Sequence, residues 1–260
     1  MAYSYSYTMS KHAEYIPNSL RAVIVGSSGA GKTCLLIKML LESLKYDKLY
    51  IFARSLYQPS YQCVIEGFKN NLSKENIVKL LNAGNMIKDE QYWKSLGEED
   101  DIPTIESVAK ALAETQTDVV HSPDVEFFNS PDGIPDPSEL DRSHRNLIVF
   151  DDIMTDKNQT PAANFYTRGR SANCDCIYLS QNYTHLPLHT IRTNANFQVF
   201  FKSSPMVVEQ LFRNFASIDM SLMEFKALCS KAWRHKFGFL VIDLTKDYET
   251  GKRYRTQLHF

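Results

Sequence analysis

The chain has 260 residues, with Lys+Arg 29 against Asp+Glu 30 and a formal net charge of −1. That length suits one open α/β sheet carrying an insertion. The balanced charge excludes a bulk polycation, so any nucleic-acid contact must come from a local patch or from a surface multiplied by assembly.

In chain order, the opening MAYSYSYTMSK lacks a charged start followed by an apolar run, so it does not read as a signal peptide. Its alternating Ser and Tyr suit a loose arm or an oligomer contact, and residues 1–18 are expected as an N-terminal arm before a domain at 19–260. No uncharged apolar stretch is long enough to span a bilayer, which predicts a protein without a membrane-spanning segment. Ala22-Val23-Ile24-Val25 is a β-branched run and predicts a strand. From Lys32 to Leu44 the chain is dense in Leu, Ile and Met, without Gly or Pro, and predicts a largely buried helix.

Between this strand and helix stands GSSGAGKT, Gly26-Ser27-Ser28-Gly29-Ala30-Gly31-Lys32-Thr33, a full match to the phosphate-binding P-loop. Glycines let the backbone wrap so that several N–H groups point at one phosphate. Lys32 puts a compact positive charge on the outer phosphates, and the Thr33 hydroxyl suits Mg2+. Residues 26–33 and the adjoining Cys34 are therefore the expected cradle for ATP, with the helix N-terminus facing the phosphates.

A second strand is expected at Leu49–Ala53. From about Tyr57 to Arg145 the pattern changes to an inserted region. Helices are expected at Lys74–Asn82, capped by Ser73, and at Thr104–Glu114. Glu98-Glu99-Asp100-Asp101 is an acidic run, and Asp124 to Ser143, with Pro131, Pro135 and Pro137, reads as an exposed loop. Strand character returns at Leu147–Phe150, Cys176–Leu179, Phe197–Phe201 and Phe237–Leu244. These runs are apolar throughout, which suits strands covered on both faces. Ser204-Pro205 and the capping box Ser221–Glu224 start two late helices. A turn near Glu249–Lys252 returns the chain as a strand over Arg253–Leu258, a C-terminal β-hairpin. The five cysteines are Cys34, Cys63, Cys174, Cys176 and Cys229. Odd in number and scattered, they point to reduced thiols in an intracellular protein, with Cys174 and Cys176 read as strand residues because no second pair matches their spacing.

LIVFDDI ends a buried strand in Asp151 and Asp152. Asp151 suits Mg2+, and Asp152 suits polarising an attacking water, which favours hydrolysis over phosphoryl transfer to a bound hydroxyl. IYLSQN likewise ends a strand in polar residues. In an open parallel sheet such ends gather where ligands bind, so Gln181 is placed to meet the γ-phosphate or the water. Arg168 and Arg170 precede that strand and are candidates for stabilising transition-state charge, from a neighbouring subunit or within one, with Arg192 a further candidate. A solvated basic loop and a DNA phosphate contact are the other readings of the two arginines.

Taken together, GSSGAGKT, LIVFDDI, TRGRSANCDCIYLSQNY, Leu186-Pro187, Ile191-Arg192 with Asn194, and the FQVFFKS strand resemble the poxvirus-like genome-packaging ATPases of the FtsK–HerA superfamily, with relatives in virophages and virus-like transposons. The resemblance runs from Ser19 to about Lys202. It implies a RecA/ASCE-like, mostly parallel sheet with helices on both faces and an extra strand between those of the two ATP motifs. It implies a homo-oligomeric ring, pentamer or hexamer, with arginines acting across interfaces and double-stranded DNA threading the centre. It further implies ATP and Mg2+ as cofactors, a capsid or portal-vertex partner, and work at the viral assembly site in host cytoplasm or nucleus, or on the virion. Carried over residue by residue, Lys32 and Thr33 bind phosphate and Mg2+, Asp151 and Asp152 are the acidic pair, Gln181 is the sensor, and Arg168 or Arg170 the finger. Asp152 departs from the Glu common in the superfamily. Basic side chains Lys202, Lys231, Arg234, Lys236, Lys252, Arg253 and Arg255 are candidates for the DNA path, each against a reading as plain surface charge. Two other classes stay open: a P-loop nucleotide or small-molecule kinase, and a slow nucleotide-binding switch.

Overall fold

The apolar runs become strands that pair around the phosphate-loop strand in a computed structural model, which describes residues 11–87, 103–153, 156 and 158–260. The first ten residues of the expected arm and the Glu98–Asp101 run lie outside the described residues. The strands are β1 (Arg21–Val25), β2 (Lys48–Ala53), β3 (Asp124–Phe128), β4 (Asn146–Asp151), β5 (Cys174–Ser180), β6 (Phe197–Phe201), β7 (Phe239–Asp243) and β8 (Tyr254–Arg255). They form one eight-stranded sheet in the order β3-β2-β4-β5-β1-β6-β7-β8. All pairs from β3 to β6 are parallel, and β7 and β8 add to β6 as an antiparallel extension. β5 lies between β4 and β1, so the extra strand expected between the phosphate-loop strand and the strand of the acidic pair is present. The fold is an α/β P-loop sheet ending in a hairpin, as expected.

Side-chain alternation explains why the strands are apolar throughout. Ile148 and Phe150 of β4 enter one core, while Leu147 and Val149 enter the other. The first core is closed by α5 (Thr160–Arg168), α6 (Pro205–Leu211) and α7 (Leu222–Ala232), through Phe165, Leu211 and Phe225. The second is closed by α1 (Lys32–Lys38), through Leu35 and Leu36. The expected Lys32–Leu44 helix is thus α1 continued by a π-helical turn, Met39–Ser43. Ser204 caps α6 by accepting from the Val207 N–H, and Ser221 with Glu224 forms a capping box on α7.

The inserted region holds α2 (Pro59–Lys69), α3 (Lys74–Ile87) and α4 (Ile105–Thr115). These three share a small core of Cys63, Val64, Ile77, Leu80 and Ala109, seated on Ile37 and Leu41. Ser73 and Thr104 accept hydrogen bonds at the starts of α3 and α4.

Three expectations need correction. α2 was not expected, because its polar face and the Ser-Leu-Tyr-Gln-Pro approach mask a short amphipathic run. The Asp124–Ser143 segment is not all loop: β3 pairs parallel with β2 from Lys48↔Asp124 to Phe52↔Phe128. As an edge strand it keeps Asp124 and Glu126 exposed, so it lacks the continuous apolar signature of its neighbours. The last long strand starts at Phe239 rather than Phe237, which has φ 66°. In addition, residues 11–18 of the expected arm lie against the sheet. His12 and Ile16 are buried there, and His12 Nε2 is 2.9 Å from Asp175 Oδ2. Among the described residues no helix is long and apolar enough to cross a membrane.

Candidate active site

The phosphate loop leaves β1 at Gly26, whose N–H donates to the Ser180 carbonyl at 3.1 Å, tying the loop to the end of β5. A Cβ at Gly26 would sit 2.8 Å from Phe201 Cβ, so only glycine fits this approach of β1 to β6. Gly31, the cap of α1, has φ 103°, a conformation that side chains disfavour. Lys32 folds over the loop: its Nζ donates to the Gly26 carbonyl at 2.7 Å and to the Ser27 carbonyl at 3.0 Å. Burial lowers the Lys32 pKa, opposed by the charges of Asp151 and Asp152.

Those carboxylates arrive from β4. Asp151 is its last residue and is buried; Asp152 follows at φ 54° and is exposed. Asp tolerates this left-handed backbone better than most side chains. The reversal sends two successive carboxylates into different surroundings. The Tyr61 hydroxyl of α2 donates to Asp151 Oδ2 at 2.5 Å. Burial raises the Asp151 pKa, while Tyr61 and Lys32 pull it down. Burial, and then the Asp151 charge, push the Tyr61 hydroxyl well up, so Tyr61 stays a donor. Asp152 Oδ1 accepts from Gln181 Nε2 at 2.9 Å.

Lys32, Thr33, Asp151, Asp152 and Gln181 thus line one cleft of about 140 Å3, with Ser55 and Gln58 from the β2–α2 connection. It is polar, sits at the C-terminal edge of the parallel strands, and combines a cationic cradle with two oxygen-bearing side chains suited to a hard cation. Tyr61, Ser55 and Gln58 were not read from the sequence. No local motif marks them, and the one available signal, an aromatic residue three positions after Gln58, is shared by many ordinary helices. Cys34 is exposed on α1 beside Thr33.

Arg168 and Arg170 are not brought to this cleft. They precede β5, whereas Gln181 follows it, and seven strand residues separate the two edges by about 20 Å. Arg168 Nη2 meets Asp136 Oδ2 at 2.6 Å. Arg170 lines a groove of about 750 Å3 on that far edge with Lys11, Arg21 and Lys246. Arg192 lines a separate groove with Asn214 and Arg253, its guanidinium 5.1 Å from the centre of the Tyr183 ring. The candidate DNA-contacting residues also divide. Lys202, Arg234 and Lys236 flank the phosphate loop, while Arg253 is paired with Asp219 and Arg255 with Asp243. Cys174 and Cys176 are buried, free strand residues.

The family model described as "Poxvirus A32 protein" matches residues 136–243. The match takes in the acidic pair, both arginines, Gln181 and the strands from β4 to β7, which is the more discriminating part of the expected resemblance, and leaves out the phosphate loop. No curated protein matches the chain by sequence. Among solved structures, it is similar to VirB4 of Thermoanaerobacter pseudethanolicus, with 14% identity, 87% of each chain covered and a TM-score of 0.43. It is also similar to the genome packaging NTPase B204 from Sulfolobus turreted icosahedral virus 2 in complex with AMP, with 10% identity, 92% of this chain and 97% of that chain covered, and a TM-score of 0.44.

Proposed function

We propose that this chain, similar over residues 136–243 to the poxvirus A32 protein family, is an ATPase that moves double-stranded DNA while a viral genome is packaged into a preformed capsid. The observation that carries the reading is the convergence of Lys32, Thr33, Asp151, Asp152 and Gln181 on one cleft beside the phosphate loop. In this reading the loop N–H groups and Lys32 hold the triphosphate, Lys32 leaving its own loop carbonyls to do so. Thr33 and Asp151 hold Mg2+, which when bound offsets the negative charge on the phosphates. Asp152 orients the attacking water and draws its proton, and Gln181, hydrogen-bonded to Asp152, couples that carboxylate to the end of β5. Tyr61 holds Asp151 in place.

Arg168 or Arg170 acts in this reading on a neighbour's cleft, because each lies about 20 Å from its own along β5. A ring of identical subunits, pentameric or hexameric, supplies that neighbour. DNA in the channel is held through its phosphates, so little base specificity is needed. The portal vertex or capsid is the docking partner, and the host-cell assembly site the location. The region α2–α4 is an insertion within one ATPase domain.

The test is ATP hydrolysis by the purified chain with and without duplex DNA. A motor is stimulated by duplex and loses that stimulation as salt rises. Turnover that needs a small-molecule acceptor identifies a kinase, and slow turnover regardless of DNA identifies a switch. A monomer indifferent to duplexes of any length overturns the motor. Mixing Arg168→Ala or Arg170→Ala subunits with wild type should depress turnover more than in proportion if the arginine acts in trans.

A further inference from the structure

A second cleft, about 360 Å3, opens on the other side of the phosphate loop, between Ser27, Gly29 and Ala30 and the connection from α7 to β7. That connection is a built feature. Trp233 Nε1 donates to the Phe200 carbonyl at 2.8 Å, and the Gly238 N–H donates to the His235 carbonyl at 3.0 Å. A Cβ at Gly238 would lie 2.2 Å from the Ala232 carbonyl oxygen, so the turn closes only on glycine. Between these anchors Phe237 is held at φ 66°, a costly backbone state for a bulky side chain. Its ring is not buried in return: Phe237 is 54% exposed. The ring edge instead reaches the phosphate loop, where Phe237 Cδ1 lies 3.3 Å from the Cβ position of Gly31. Lys236 Nζ stands 5.0 Å from the ring centroid. Lys202, Arg234, His235 and Lys236 line the cleft, and among the described residues no acidic one does.

We propose that this connection is the nucleobase subsite, in which the exposed ring of Phe237 stacks on the planar base of a nucleoside triphosphate whose phosphates lie on residues 26–33. The proposal rests on the nucleotide reading above and extends it to residues that reading leaves unused. A strained, exposed aromatic beside a phosphate cradle is a stacking platform, and the surrounding cations complement the inner phosphate of the same ligand. Stacking is tolerant of base identity because every base has a π face, so the site selects bases weakly and favours purines for their larger area. In this subsite Lys202, Arg234 and Lys236, which line the same cleft, meet the nucleotide rather than DNA.

The experiment compares binding of ATP and of inorganic tripolyphosphate, each with Mg2+, to wild type, Phe237→Ala and Phe237→Trp, with thermal midpoints as the folding check. Wild type should prefer ATP by about tenfold, the worth of one base stacked on an aromatic ring. Phe237→Ala should remove most of that preference while tripolyphosphate affinity holds, and Phe237→Trp should keep it. A preference that survives Phe237→Ala overturns the subsite and leaves the nucleotide reading intact. Weaker duplex-DNA binding by Phe237→Ala with an unchanged ATP preference assigns the ring to DNA and likewise overturns it. A wild type that binds neither ATP nor tripolyphosphate removes the nucleotide reading and the subsite with it. Should Phe237→Ala fail to fold, Phe237→Trp decides against the subsite if its ATP preference is lost.

Discussion

The two edges of the sheet differ in how they hold their buried charges. At the N-terminal edge several buried charges are neutralised by neighbours within the fold. Asp175 accepts from the Leu20 N–H at 2.6 Å and from Arg145 Nε at 3.1 Å, with His12 closing the group. Asp243 and Arg255 form a buried pair, and Arg253 meets Asp219. At the C-terminal edge Arg54 still meets Asp156, but Lys32 turns to loop carbonyls instead of forming an ion pair, and Gly29, Gly31, Asp152 and Phe237 all hold positive φ. One edge spends its polar groups on joining distant segments, here 163 residues apart between His12 and Asp175. The other keeps strained backbone and a desolvated lysine, which is the state of a surface shaped for a ligand. Arg168 and Arg170 belong by position to the first edge and by proposed role to the second, and the proposed function joins the two through a second subunit.

Mutations on the two edges should therefore separate stability from activity. The largest effect is expected from Asp175→Ala, which leaves Arg145 buried without its carboxylate and should cost about 3–5 kcal/mol, read as a lower denaturation midpoint. If nucleotide turnover falls while the midpoint stays, the division between the edges is wrong. Lys32→Ala should reduce turnover by about a hundredfold to a thousandfold with a nearly unchanged midpoint. Asp152→Asn should keep ATP binding and lower hydrolysis by about a hundredfold, separating its role from that of the phosphate cradle. The smallest effect is expected from Tyr61→Phe. Its hydroxyl opposes the burial that raises the Asp151 pKa, so its loss raises that pKa further. Turnover that needs the ionised carboxylate then fails at a higher pH, and the acid limb of the pH–rate profile moves up. An acid limb that stays in place, or moves down, would show that Asp151 does not titrate in the active form.

Much of the cleft was legible because its chemistry is packed into contiguous residues. The octet at 26–33, the Asp151-Asp152 pair and Gln181 each close an apolar strand, and parallel strands bring their ends to one edge. Tyr61 was not legible, because its meaning lies in a hydrogen bond to a residue 90 positions away. β3 was hidden by half-exposed residues between acidic and Pro-rich stretches, where the pairing partner rather than the local pattern makes the strand. The basic residues near the C-terminus looked alike in the sequence. Pairing then separated them, with Arg253 and Arg255 in ion pairs and Lys202, Arg234 and Lys236 beside the phosphate loop.

By itself the sequence determined the P-loop, the acidic pair and the alternation of buried strands with helices, because glycine conformation, carboxylate chemistry and side-chain burial act over a few neighbouring residues. Only the tertiary structure decided which charges are paired and which stand beside the cradle, and that Phe237 meets Gly31. Those facts depend on strand order, which brings together segments that no local interaction connects.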